Sequence, residues 1–151
     1  MHTSTGHVDD VAEAVVLASR ALMGVAARSL AAVNDEVTLP QHRALVLLSA
    51  RGPLTVGALA DALAVNPSTV TRLCDRLVRK RLVSRHTAPT SRREVRVTLT
   101  PAGRALVDQV MARRRDEIAG ILSSMSEEGR RRLAAALSEF AAAAGERPEE
   151  A

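Results

Sequence analysis

Aromatic side chains are almost missing from this sequence: Phe140 stands alone, with no tryptophan and no tyrosine. That removes the stacking platforms used to hold single-stranded nucleic acid, so a nucleic-acid partner of this chain would be a duplex. Cysteine is equally scarce. Cys74 has no second thiol to pair with, and His2, His7, His42 and His86 are scattered without metal-ligand spacing, which excludes a disulfide scaffold and a structural zinc site. No apolar run approaches the ~20 residues that cross a bilayer, and the opening MHTSTGHVDD lacks a basic stretch followed by an apolar one. The expectation is a soluble, cytoplasmic chain with no membrane partner. Neither a nucleophile–base pair nor a phosphate-cradling glycine loop is found, so no enzyme activity and no cofactor is expected.

What is present is alanine, 27 of 151 residues, the best helix former because it loses no side-chain entropy. Apolar residues make up 46% and charged residues 25% of the chain, ordinary globular usage. The net charge of +4 is unevenly placed. Residues 66–100 hold nine basic residues (Arg72, Arg76, Arg79, Lys80, Arg81, Arg85, Arg92, Arg93 and Arg96) against Asp75 and Glu94, a local +7. The other 12 of the 21 basic and 15 of the 17 acidic residues leave the remainder at −3. A field that local is the footprint of a surface for a polyanion.

Prolines punctuate the chain, and the segments between them have clear periods. Val8, Val11, Val15, Leu22, Ala26, Leu30 and Val33 recur at helical steps and predict a long amphipathic helix over 8–33. Thr38 caps a second helix that Arg51-Gly52-Pro53 ends, and Thr55 caps a third through Leu63. Ala64-Val65 is a tight turn, after which Asn66 and Pro67 open a helix to about Lys80, so the pair forms a helix-turn-helix. Residues 82–86 are extended, 87–93 form a polar tip, and Val95, Val97 and Leu99 alternate with Arg96 and Thr98, predicting a hairpin. Thr100-Pro101 starts a long helix to about Ser124, and Ser126 opens a last one that ends near Gly145. The fold class expected is mainly α with a small antiparallel β-hairpin wing.

On the helix from Asn66, Val70, Leu73, Cys74, Leu77 and Val78 share one arc, and Ser68, Arg72, Asp75 and Arg79 lie opposite, flanked by Thr69 and Arg76. Such a helix fits the major groove, where arginine bonds guanine in a bidentate fork; Arg72 is the candidate base reader. Asp75 is expected to orient Arg72 or Arg79 across one helical turn. Arg92 and Arg93, at the hairpin tip, suit a narrow minor groove. Cys74 reads as a small buried hydrophobe, and Met23, Met111 and Met125 as core. His42 is the one candidate effector contact, on a helix face open to either core or cavity.

The run LTVGALADALAVNPSTVTRLCDRLVRKRLVSR, followed by TAPTSRREVRVTLTPAGRAL, resembles the MarR family of regulators, and the likeness extends over residues 39–145. It implies a winged helix-turn-helix domain over 38–100 and a helical dimerisation domain from 8–33 and 101–145, with flexible ends at 1–7 and 146–151. It further implies a homodimer on pseudo-palindromic double-stranded DNA, usually a repressor, released when a small amphipathic or phenolic effector binds. Ser68, Thr69, Arg72 and Arg76 match recognition-helix positions and Arg92 the wing-tip arginine; Thr55, Thr71 and Arg93 complete the DNA-binding set. Two positions depart from the pattern: Ser91 stands where the wing tip usually has aspartate, and Arg81 where a glycine usually follows the recognition helix. Two other readings stay open on the residues: a constitutive or oxidation-sensing DNA binder, and a winged-helix module for protein assembly.

Overall fold

A computed structural model describes the backbone of residues 3–88 and 91–146 and the side chains of residues 5–87 and 94–146. Of the expected flexible ends, residues 1, 2 and 147–151 lie outside this description. The chain divides into two compact units, Met1–Arg114 and Arg115–Ala151. In order, its elements are α1 (Thr3–Val33), α2 (Leu39–Arg51), β1 (Leu54–Thr55), α3 (Val56–Leu63), α4 (Pro67–Arg79), β2 (Val83–Ala88), β3 (Ser91–Leu99), α5 (Pro101–Ser123) and α6 (Glu127–Ala143).

Local side-chain chemistry sets most of the boundaries. Thr38 closes a capping box with Gln41, and Thr55, Asn66 and Ser126 each accept a backbone N–H in the first turn of α3, α4 and α6. Pro40 and Pro67 stand in first turns, where no donor is lost. α1 begins at Thr3, five residues before the expected Val8, so residues 3–7 are helical rather than a loose end.

The first unit packs around Leu45, Leu48, Leu59, Val70, Cys74, Leu77, Val97 and Val110, all at or near complete burial. Each fully buried leucine contributes about 1.5–3 kcal/mol relative to exposure. Three antiparallel strands in the order β1-β3-β2 close one side, with Leu54 opposite Val97 and Val83 opposite Leu99. β1 was not expected: it is two residues long and its partner lies about forty residues onward, beyond any local period.

Two expectations fail in α1. Met23 is 69% exposed rather than core, although Met111 does pack against the core. Moreover, Thr5–Val33 is long and apolar enough to cross a membrane by length and composition, with a mean hydropathy of 1.4 in its best stretch. Alanine and valine accumulate that hydropathy although charges interrupt every run. Arg20 falls near the middle, where a bilayer would impose roughly 2.5–3.5 kcal/mol. Of the stripe seen in the sequence, Val8, Val11, Val15 and Leu22 are exposed in the single chain, whereas Leu30 is buried and Val33 packs against the core.

In the second unit no residue of α6 is buried, and Ile121, Leu137 and Phe140 are exposed. Arg130 donates to the carbonyls of Leu122 and Met125 at 3.1 and 2.6 Å, finishing α5, while Glu127–Arg131 and Glu128–Arg132 pair along α6. Thirty-seven residues are too few to enclose a core alone.

The tightest packing is at the start of α5. Thr100 caps it by accepting from Gly103 N at 3.1 Å. A Cβ on Gly103 would overlap the Leu82 carbonyl oxygen and stand 2.8 Å from Leu99 Cδ1. Gly103→Ala should destabilise the fold by about 1–3 kcal/mol, because a backbone carbonyl cannot swing aside. Gly57→Ala, where an added Cβ meets nothing, should be neutral or stabilising, and urea midpoints compare the two.

His42 lies inside this unit, 3% exposed, and its Nε2 has no partner among the described residues; nor does Nε of Arg114 on α5. Burial, assisted by the Arg114 guanidinium, holds the imidazole below its usual 6.5. The folded protein therefore keeps His42 neutral, whereas the unfolded chain takes up a proton below that value. Stability falls as pH drops through about 6.5 toward the lower folded value. The wild-type urea midpoint should decline between about pH 7.5 and about pH 5.5 more steeply than that of His42→Gln.

Candidate nucleic-acid interface

α3 and α4 form the helix pair that carries the basic segment. Between them Ala64 adopts a left-handed conformation (φ 54°) and ends α3, and Asn66 starts α4 by accepting from Ser68 N at 3.0 Å. Val70, Cys74 and Leu77 anchor α4 to the core, with Leu73 and Val78 half-buried beside them. That fixes the helix's rotation, so Ser68, Thr69, Thr71, Arg72, Arg76 and Arg79 are all exposed. Among the described residues no carboxylate holds Arg72, Arg76 or Arg79.

Three of the hydroxyl residues expected at DNA also have structural duties. Thr55 accepts from Ala58 N at 3.1 Å as the cap of α3. Ser68 donates to Asn66 Oδ1 at 2.9 Å, and Thr71 donates to the Pro67 carbonyl at 3.0 Å. Thr55 and Thr71 border an open cleft of about 530 Å³, with Gly57, Arg85, Glu94 and Val95 on its other sides. They sit beside the wing, whereas Arg72 and Arg76 lie on the outer face.

Asp75 does not pair with Arg72 or Arg79, as the sequence led us to expect. Its carboxylate receives Arg85 of β2 at 2.5 Å, tying the recognition helix to the wing. The alternation along β2 places Arg85 on the same face of the strand as the buried Val83, the face turned toward α4. Lys80, another member of the basic run, donates to the Glu36 carbonyl and to Gln41 Oε1, the latter at 3.1 Å. Arg96 stands 3.8 Å from Glu94. The outward charge is thus smaller than the count in the sequence.

The wing also differs from the expected polar tip over 87–93. β2 continues to Ala88 and β3 begins at Ser91, so only Pro89 and Thr90 separate the strands, and these two lie outside the described residues. Register passes from Thr87↔Val95 directly to Ala88↔Ser91, leaving Arg92, Arg93 and Glu94 without opposite partners. Such a bulge takes residues out of the ladder and re-aims them. The Arg92 and Arg93 side chains are themselves outside the described set.

Arg81, where the resemblance led us to expect glycine, takes the left-handed conformation that glycine would favour (φ 59°). For a residue with a Cβ this costs roughly 1–2 kcal/mol. Thr100 offsets part of it, its hydroxyl donating to the Arg81 carbonyl at 2.7 Å. Cys74 is fully buried, and burial pushes its thiol up, with the Arg85 guanidinium opposing to a lesser extent. A protonated, enclosed thiol is a poor nucleophile.

Comparison with known proteins agrees with this geometry. The MarR family model matches residues 37–95. The HTH-type transcriptional repressor MdtR of Bacillus subtilis is 36% identical over 92 residues, which is 61% of this chain and 59% of MdtR. A second Bacillus subtilis regulator is spanned to 63% of its length. Among solved structures, RV1404 from Mycobacterium tuberculosis superposes with a TM-score of 0.88 at 43% identity, covering 95% of this chain and 97% of that one. A MarR family protein from Bacillus stearothermophilus gives 0.84 at 26% identity, covering 95% and 99%. A family match over the helix pair and most of the wing, and a fold shared with RV1404 over 95% of the chain, make this chain a member of the MarR family of winged helix-turn-helix transcriptional regulators.

Proposed function

We propose that the protein acts in the cytoplasm as a homodimeric repressor of pseudo-palindromic duplex operators and is released by a small-molecule effector. The observation that carries the DNA-reading part is the rotation of α4: Val70, Cys74 and Leu77 of its apolar arc are fully buried, so Ser68, Thr69, Arg72 and Arg76 are directed away from the core together. Arginine on such a face reads guanine N7 and O6. Arg92 and Arg93, displaced from the ladder, serve the flanking minor groove or phosphates. MdtR, the named relative, is a repressor, which favours that sense of regulation.

Dimerisation is supported by apolar surface that the single chain leaves uncovered. Val8, Val11, Val15 and Leu22 on α1, and Leu137 and Phe140 on α6, are exposed. A second copy burying these stripes accounts for α1's hydropathy without a bilayer. For the effector, His42 and Arg114 offer two buried nitrogens in want of partners. A carboxylate or phenolic oxygen accepting from both would satisfy them. Oxidation sensing is disfavoured by the buried Cys74.

Two arginine variants test the reading, each measured on a selected operator and on random duplex across a salt series. Arg72→Ala should weaken operator binding by about 1–3 kcal/mol and flatten preference at one position per half-site, with a smaller loss on random DNA. Arg92→Ala should weaken both duplexes alike and reduce the salt slope by about one per subunit. Equal specificity losses from the two variants contradict this division. Failure of the wild type to bind any duplex at low salt would leave the winged-helix assembly module as the better account.

A further inference from the structure

The basic run between Asn66 and Thr100 counts Lys80 among its charges, yet Lys80 is directed elsewhere. It is the residue that ends α4, and its ammonium donates to the Glu36 carbonyl and to Gln41 Oε1. These acceptors lie 44 and 39 residues upstream, in the loop between α1 and α2 and in the first turn of α2. The acceptors are themselves fixed. Asn34 Oδ1 receives Glu36 N at 2.9 Å, while Asn34 N donates to the Leu30 carbonyl, so the loop is tied to the end of α1. Gln41 is buried, and its Oε1 also receives Thr38 N within the capping box. An ammonium has three protons in a compact head, and two are committed here to oxygens that lack freedom to follow it.

We infer that Lys80 is a positioning residue for operator recognition, which fastens the C-terminal end of the recognition helix to the α1–α2 loop, and that it is not a phosphate contact. The inference rests on the reading of α4 as the DNA-reading helix. α1 carries the stripe assigned to the second subunit, and Lys80 links the recognition helix to the end of α1. It therefore sets how the reading face is presented relative to the dimer, which governs specific binding and leaves the diffuse attraction to phosphates alone.

The test compares Lys80→Met, Gln41→Met, the double variant and Thr38→Ala in the full chain, on selected operator and random duplex over a salt series. Lys80→Met and Gln41→Met should each lower operator affinity about tenfold with random-duplex affinity and salt slope unchanged. The double variant should be no worse than Lys80→Met, since Gln41→Met removes one of the two acceptors that the lysine substitution already abandons. Thr38→Ala removes the other half of the capping box and leaves Lys80 its acceptors; it should lower the melting temperature and keep specificity. Far-UV circular dichroism and melting curves establish that each variant is folded, and Gln41→Met carries the comparison if Lys80→Met is not. Equal weakening of both duplexes by Lys80→Met, with a salt slope smaller by about one per subunit, would identify a phosphate contact and overturn the inference. Additive effects of the two methionine substitutions, or a specificity loss from Thr38→Ala equal to theirs, would overturn it as well. A wild type that binds operator while the variants behave in these ways refutes only the positioning role; a wild type that binds no duplex refutes the DNA reading and the positioning role together.

Discussion

The junction of Arg81 and Leu82 with the first turn of α5 is the contact on which the winged helix-turn-helix depends. Thr100 N donates to the Leu82 carbonyl at 3.1 Å, and the Thr100 hydroxyl donates to the Arg81 carbonyl. Gly103 lets the α5 backbone come close enough for both. Recognition helix, wing strands and long helix all meet here: α4 ends one residue before the turn, β2 leaves it, and β3 delivers the chain to Thr100. Two hydrogen bonds of about 1 kcal/mol each are of the size needed to hold Arg81 in a backbone conformation that a side chain disfavours by a similar amount. Strain held so close to the reading helix limits the ways in which that helix can move without the junction opening.

Charge on α4 and the strands beside it is divided between residues held by partners and residues left facing outward. Lys80 and Arg85 are spent on the loop before α2 and on Asp75, and both contacts join α4 to its surroundings. The Asp75–Arg85 pair is more than a third exposed on each side, so it contributes at most about 1 kcal/mol and its value is geometric. Arg72, Arg76 and Arg79 remain on the outer face of a helix whose inner face is closed by Val70, Cys74 and Leu77. A helix buttressed at both its wing side and its C-terminal end presents those arginines in one orientation, which is what the proposed bidentate base contact requires.

Much of this was legible in the sequence where the determining interaction is short in range. Thr38, Thr55, Asn66 and Ser126 act on backbone groups two or three residues away, so the helix starts they specify are found in place. The apolar arc of α4 follows from the 3.6-residue period alone. What escaped depends on distant partners. β1 exists only because Leu54 meets Val97, Asp75 chooses a strand residue over its helical neighbours, and Lys80 reaches back some forty residues. Met23 looks like core to a periodicity argument, which cannot distinguish a face covered by the same chain from one left open.

Two copies of α4, held in one dimer, are proposed to read two half-sites of a duplex. A hydroxyl-radical and methylation footprint on a duplex selected from a random pool tests it most directly. The expected result is protection of two major-groove segments centred about one helical turn, roughly 10 base pairs, or a whole multiple of it apart, with flanking minor-groove protection beneath the wings. One protected segment bound by a single chain, or protection confined to the minor groove, would contradict it.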